Sequence, residues 1–185
     1  MGNALKGRRI VVGITGSIAA YKACELVRRL KEQGAEVQTV LTEHGAAFVG
    51  EQTLLTLSGR PVLGDLFTTS ERWEPEHIAT GDWAEACIVA PATANVIGKV
   101  AAGIADDALT SLIMAMHCPV AFAPAMNVHM YENPIVQANI EKLKSLGYRF
   151  VEPESGYLAC GYEGKGRLAG TDRLVAAVEE ILAGR

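Results

Sequence analysis

Five short stretches of this 185-residue chain bring together side chains that can move protons or hold small polar groups. Cys160 lies in 156-GYLACGYEGKGRL-168, surrounded by Gly156, Gly161, Gly164 and Gly166. A thiol there is out of place as a core residue, because so many glycines leave the backbone free and disfavour helix or strand. Asn127 closes APAMN (123–127), and Thr93 and Asn95 stand in APATAN (90–95). Their amides and hydroxyls sit beside residues small enough to admit a planar ring, although an Asn such as Asn95 reads equally well as a helix cap. GITGS (13–17) offers backbone amides at a helix start plus the Ser17 hydroxyl, which suits a mononucleotide phosphate; a tight turn without a ligand would look the same. It has neither the G-x-G-x-x-G spacing nor a G-K-[ST] ending, and Glu43 is only loosely placed as the acidic residue of a dinucleotide site. His77, in PEHIAT, has the pKa range of a proton-transfer group, or is an ordinary surface histidine. Asp106 and Asp107 have no His or Cys at ligand spacing and read as helix-end residues, so no metal is expected.

These residues need a scaffold, and the apolar pattern supplies one. RRIVVGI (8–14), EVQTVL (36–41), ACIVAP (86–91), PVAFAP (119–124) and YRFVEP (148–153) read as strands. Between them, 17–34 has helical periodicity that places Ile18, Tyr21, Leu26, Val27 and Leu30 near one face. Residues 46–57 are broadly helical up to Ser58-Gly59, and ANVIGKVAAGIADDALTSLIMAMH reads as helical. Further helices are expected from about Asn133 to Leu146 and over LVAAVEEILAG, while TTSERWEPEHIATGDW reads as a long loop. Strands alternating with helices predict an α/β fold: a doubly wound, mostly parallel sheet flanked by helices, Rossmann- or flavodoxin-like, in one domain over 1–185. Ligands of such sheets bind beyond the carboxyl ends of the strands, where GITGS, VLTEH, APATAN and APAMN all fall.

Composition narrows the class. A net charge of −4 gives no electrostatic reason to expect nucleic acid or a membrane surface. No apolar run approaches the roughly 18 residues that span a bilayer. The basic start and short apolar run read as strand, turn and helix rather than a signal peptide, and Lys6 stands where a myristoylation motif wants Ser or Thr. Cysteines at 24, 87, 118 and 160 have neither metal-type spacing nor a secretory context, which points to a reducing, cytoplasmic compartment. Cys24 and Cys87 fall on apolar faces and are expected in the core; Cys118 has no assigned role.

Taken together, the motifs resemble the homo-oligomeric flavin-containing cysteine decarboxylases over about residues 8–170. APATANVIGKVAAGIADDALT is similar to that family's Ala-Asn…Lys…Gly…Asp signature, and PAMNVHM to its Pro-x-Met-Asn-x-x-Met signature at Pro124, Met126, Asn127 and Met130. ACGYEGKGRL is similar to the Ala-Cys-Gly-x-x-Gly-x-Gly-Arg clamp of the members that decarboxylate phosphopantothenoylcysteine in coenzyme A biosynthesis, with Leu168 where Met is frequent. The resemblance implies FMN as cofactor and a three-part reaction. The cysteine moiety is oxidised to a thioaldehyde with the flavin as hydride acceptor, CO2 is lost to leave an enethiol, and the enethiol is reduced. It implies His77 as base or proton shuttle, Asn127 holding the substrate carboxylate or amide, and Cys160 as the proton donor of the last step. Gly16, Ser17, Thr42, Thr93, Ala94, Asn95 and Ala125 would bind FMN, and Met130, Ala159 and Gly161 would join Asn127 around the substrate. Lys165 and Arg167 are candidates for the substrate phosphate, or are simply solvated. A homotrimer or an assembly of trimers is implied, with the site at the subunit boundary, as is a CTP-dependent phosphopantothenate-cysteine ligase domain in many bacterial members. The competing implications are an oxidative peptidyl-cysteine decarboxylase of lantibiotic type, a non-catalytic FMN-binding regulatory subunit, and a flavin prenyltransferase.

Overall fold

A computed structural model describes residues 4–64, 76–157, 161 and 163–184. Its centre is a five-stranded parallel sheet of β1 (Arg9–Ile14), β2 (Glu36–Leu41), β3 (Ala86–Ala92), β4 (Val120–Pro124) and β5 (Arg149–Phe150), in the order β2-β1-β3-β4-β5. The sequence predicted all five, with β5 shorter than the run YRFVEP suggested.

Strands β1 to β4 are buried on both faces almost throughout, which explains their continuous apolar runs. Alternation along β1 sends Ile10, Val12 and Ile14 into one core and Val11 into the other. The first core is closed by α1 (Tyr21–Glu32) and α9 (Thr171–Ala183), through Leu26, Leu30, Leu174 and Val178. The second is closed by α5 (Ala94–Ala102), α6 (Ala108–Ala115) and α8 (Pro134–Ser145), through Ile97, Leu109, Leu112 and Ile140. Phe122 of β4 anchors this side, its ring stacked on Phe150 at 5.4 Å and tilted against Tyr148 at 5.7 Å.

Several expectations are corrected. The single helix predicted over 94–117 is two, α5 and α6, because Gly103 ends α5 in a left-handed conformation (φ 72°) and Asp107 caps α6 by accepting from the Thr110 amide. The stretch 46–57 is likewise divided between α2 (Glu43–Ala46) and α3 (Glu51–Ser58). Glu76–Trp83, read as loop, is a helix, α4, packed on α6 so closely that a Cβ on Gly81 would lie 3.3 Å from the Ala115 carbonyl oxygen. The earlier part of that predicted loop lies outside the described residues. α1 is preceded by a 3₁₀ turn, Ile18–Ala20; Ile18 in that turn and Tyr21 at the start of α1 are exposed and do not share the buried face of Leu26, Val27 and Leu30.

The largest departure is in the glycine-rich segment. Glu154–Tyr157 (β6) and Glu163–Arg167 (β7) pair as an antiparallel ribbon outside the main sheet. The glycines serve close approach rather than looseness. A Cβ on Gly164 would lie 2.7 Å from Val128 Cγ2, and one on Gly166 would overlap the Met126 carbonyl oxygen. The Met126 amide donates to the Gly166 carbonyl at 3.0 Å, fixing β7 against the segment that leaves β4.

Candidate functional site

In a parallel sheet of this order the order of strand addition reverses between β1 and β3, leaving a crevice at their carboxyl ends. Side chains there tie the loops together. Thr15 Oγ1 donates to the Pro91 carbonyl at 2.7 Å and accepts from the Thr93 amide at 3.2 Å. Thr93 caps α5 by accepting from the Val96 amide, and Thr42 caps α2 by accepting from the Gly45 amide. Ser17 caps the 3₁₀ turn by accepting from the Ala19 amide. The cap of α5 is therefore Thr93, and Asn95 lies inside the helix, exposed. Gly16 is required where it is, since a Cβ would stand 2.5 Å from His44 Cβ. Ala125 is buried, its amide bonded to the Ala92 carbonyl at 3.0 Å.

A cavity of about 540 Å³ opens beside this crevice. One wall is Ser17, Ile18, Tyr21 and Lys22; a second is Ala125, Met126 and Asn127. The third belongs to the ribbon: Tyr157, Gly166, Arg167 and Leu168. Asn127 caps α7 (Val128–Tyr131), its Oδ1 accepting from the His129 amide at 2.8 Å. That bond fixes the rotamer and sets the amide at the cavity edge.

The ribbon is held by a second contact. Glu152 Oε2 accepts from Lys165 Nζ at 2.7 Å and from the Tyr131 hydroxyl at 3.1 Å, with Lys165 Nζ 5.5 Å from the centre of the Tyr131 ring. The Lys165 ammonium, then the Tyr131 hydroxyl, hold the Glu152 carboxyl below its ordinary pKa. The same bond raises Lys165. Burial raises the Tyr131 phenol, with the Glu152 charge adding to it.

The structure brings Ser17, Asn127 and Ala125 to one cavity and sets Gly16, Thr42, Thr93 and Ala94 on the neighbouring strand ends. Met130, on α7, is half exposed and does not line the cavity. His77 is half-buried on α4 and is not among the lining residues. Gly161 is a bend with φ 85°, while Cys160 and Ala159 lie outside the described residues. Ile18, Tyr21, Lys22 and Tyr157 were not singled out as site residues by sequence reasoning; a large apolar side chain exposed beside a glycine-rich turn is a feature only the structure displays. Cys87 is fully buried and its pKa is pushed far up by burial, and burial also raises Cys24, so neither is an activated thiol. Among the described residues no cluster of three or more His, Cys, Asp or Glu could hold a metal, and no helix is long and apolar enough to cross a membrane.

The chain as a whole has close counterparts among known proteins. The chain matches the Flavoprotein family over residues 2–183 and belongs to that family. The coenzyme A biosynthesis bifunctional protein CoaBC of Bacillus subtilis (strain 168) is 48% identical over 179 residues, which are 97% of this chain and 44% of that protein. The chain thus spans less than half the length of the curated relatives it matches. Among solved structures, a PPC decarboxylase with a cysteine replaced by serine, complexed with pantothenoylaminoethenethiol, superposes with a TM-score of 0.87 at 29% identity, covering 96% of this chain and 100% of that one. The FMN-dependent cysteine decarboxylase SpaF superposes with a TM-score of 0.84 at 31% identity, covering 97% and 99%.

Proposed function

We propose that the chain catalyses FMN-dependent decarboxylation of 4′-phosphopantothenoylcysteine to 4′-phosphopantetheine, a carboxy-lyase step of coenzyme A biosynthesis in the cytoplasm. The observation that carries this reading is the meeting, in one cavity, of Asn127 from PAMN with Gly166 and Arg167 from the clamp-like motif, two segments 39 residues apart between Asn127 and Gly166. The likeness to a PPC decarboxylase bound to an aminoethenethiol, and to an FMN-dependent cysteine decarboxylase, supports it.

The crevice residues fit a flavin. Ala94 and Ala125 are small enough for a flat ring to approach, Gly16 packs close to His44, Ser17, Thr42 and Thr93 carry hydroxyls at the turns, and Asn95 is exposed on the first turn of α5. When bound, FMN supplies a reversible acceptor for a hydride, which an α-amido carboxylate needs because it has no electron sink of its own. The protein's residues do the rest. The Asn127 side-chain amide donates to the substrate carboxylate and holds the Cα–carboxylate bond in a fixed orientation, with Met130, Ala159 and Gly161 around the same end. His77 takes the proton released in the oxidative half-reaction. Cys160 gives a proton to the enethiol carbon in the reductive half, and the ribbon excludes water from that exchange. His77 stands on α4, away from the cavity lining, in keeping with a homotrimer whose site lies at a subunit boundary. A CTP-dependent phosphopantothenate-cysteine ligase partner follows from the same reading.

The test is the mass of the product formed by purified, FMN-containing protein from phosphopantothenoylcysteine. Loss of CO2 alone establishes the decarboxylase. Loss of CO2 and two hydrogens means that turnover ends at the enethiol, as for a peptidyl-cysteine decarboxylase. Unchanged substrate defeats the reading and leaves the FMN-binding regulatory role.

A further inference from the structure

The helix that carries His77, α4, is eight residues long, and its apolar stripe is too weak to hold it in place unaided. Two contacts fasten it. On one side Gly81 lies against α6, where a Cβ would come within 3.3 Å of the Ala115 carbonyl oxygen. On another the Trp83 ring meets the Arg60 guanidinium, whose Cζ is 4.4 Å from the ring centre. Gly81 and Trp83 are two residues apart, which places them about 200° from each other round the helix. His77 stands one turn before Gly81, on nearly the same face.

Arg60 is itself held on several sides. Gly59 ends α3 in the left-handed region (φ 72°), and the buried Ser58 hydroxyl accepts from the Arg60 amide at 3.2 Å and donates to the Arg60 carbonyl at 3.0 Å. The chain then runs along the edge of β2. There the Leu63 amide donates to the Thr39 carbonyl at 3.0 Å, and the Leu41 amide to the Leu63 carbonyl at 2.8 Å. Gln38 of β2, only 6% exposed, donates to the Pro61 carbonyl at 2.7 Å and accepts from Arg60 Nε at 3.1 Å. Glu36 Oε2 lies 3.5 Å from the same guanidinium. A cation aimed by a buried amide and a carboxylate has little rotamer freedom left to lose when it stacks on an indole.

We propose that Arg60 is a positioning residue for His77: its stack on Trp83 keeps α4 from rolling about the Gly81 contact and so fixes the direction of the imidazole. The inference rests on the decarboxylase reading above, in which His77 takes the proton of the oxidative half-reaction. Arg60 does not line the cavity and acts through α4. A helix fastened along one line can turn on it, and a second fastening across the helix stops the turn. Misdirecting a proton acceptor costs rate. It leaves ligand binding intact here, because neither the cavity lining nor the flavin crevice includes α4.

The experiment is a double-substitution cycle read by the anaerobic single-turnover rate of flavin reduction with phosphopantothenoylcysteine. FMN-loaded wild type, Arg60→Met and Arg60→Lys are each compared with the same protein carrying His77→Gln. Arg60→Met should slow flavin reduction roughly tenfold and Arg60→Lys, which keeps a cation over the ring, should recover most of that loss. The Kd for FMN and for substrate should stay within about twofold, and in the His77→Gln background Arg60→Met should cost less than about twofold. Hydrogen exchange supplies a readout independent of turnover: the Ala84 amide, bonded to the Thr80 carbonyl of α4, should exchange about threefold faster in Arg60→Met. Equal losses in both backgrounds would overturn the proposal, since Arg60 would then serve the fold at large. So would an undiminished rate or unchanged Ala84 exchange in Arg60→Met, or a His77→Gln protein as fast as the wild type. A wild type whose flavin the substrate never reduces would instead defeat the decarboxylase reading, before any substitution is made.

Discussion

Asn127 has two tasks, and a single substitution separates them. Its Oδ1 caps α7 by accepting from the His129 amide, while its amide nitrogen is the group proposed to meet the substrate carboxylate. Aspartate is an equally good cap, so Asn127→Asp should fold normally and keep a wild-type melting temperature. It should lose activity by at least a hundredfold, because two carboxylates repel at a site built for one. Steady-state assay beside thermal denaturation checks this, and an active Asn127→Asp would remove Asn127 from the carboxylate. Cys160→Ser should consume substrate and release CO2 yet accumulate the enethiol, as mass spectrometry of a quenched reaction would record. Complete turnover by that variant would take the proton-donor role away from Cys160. Lys99 is a contrasting case. It belongs to the Ala-Asn…Lys…Gly…Asp stretch, and its Nζ sits 2.7 Å from Asp106 and 3.2 Å from Asp107, so it ties the end of α5 to the cap of α6.

At the level of elements, the β6–β7 ribbon decides whether the cavity exists, since it supplies one of the three walls. Gly166 lets it dock. Gly166→Ala places a methyl on the Met126 carbonyl oxygen, in a backbone conformation (φ 155°) that residues with a Cβ rarely adopt. Overpacking of this kind costs about 1–3 kcal/mol. Here it should appear as lost activity with little change in melting, because the ribbon lies outside the main sheet. Wild-type kcat/KM in Gly166→Ala would show that the docked ribbon is not needed. Glu152 is the other fastening, and its lowered pKa sets a sign. Its contribution is complete above the ordinary glutamate value of 4.5 and is lost as the pH falls through the lower folded value. Ribbon docking should therefore weaken only in acid, and Glu152→Gln should abolish that acid dependence. Hydrogen exchange at the Met126 amide, which bonds to Gly166, reads this directly. Because the pair is half exposed, its share of stability is small, about 0–1 kcal/mol.

Across the whole molecule, the site is as stable as the sheet beneath it. β4 carries Phe122 into the second core and, a few residues later, delivers Ala125 and Asn127 to the cavity. Phe122→Ala removes a ring with no solvent exposure and its stacking on Phe150, so it should cost about 3–5 kcal/mol in urea denaturation. Activity at moderate temperature should fall with it, since the Asn127 segment loses its footing. A cost below about 1 kcal/mol would mean that the surrounding side chains collapse into the space, contrary to an interior packed at crystal-like density. The same argument makes the three loops at the carboxyl edge of β1, β2 and β3 one rigid unit, because Thr15, Thr42 and Thr93 bond across them.

The sequence by itself determined the sheet, its parallel character and the strand-end turns beside which the candidate cavity opens. Buried strands are written as apolar runs whatever surrounds them, and helices such as α9 as a 3.6-residue stripe, so local pattern suffices. The break between α5 and α6 was also written there, in Gly103 and Asp107, since caps act locally. Tertiary structure alone decided the rest. Ile18 left the buried face because it lies in a 3₁₀ turn with three residues per turn, and Tyr21, the first residue of α1, stands across the helix from Leu30. α4 has a weak apolar stripe and depends on packing against α6, information that no window of its own sequence contains. The ribbon formed where composition argued against strand, because what Gly164 and Gly166 provide is contact with Val128 and Met126, distant in sequence and near only in space. The presence of Lys22 and Arg167 in the lining of one cavity has the same origin. Their separation along the chain carries no signal, and the fold alone brings both to the same cavity.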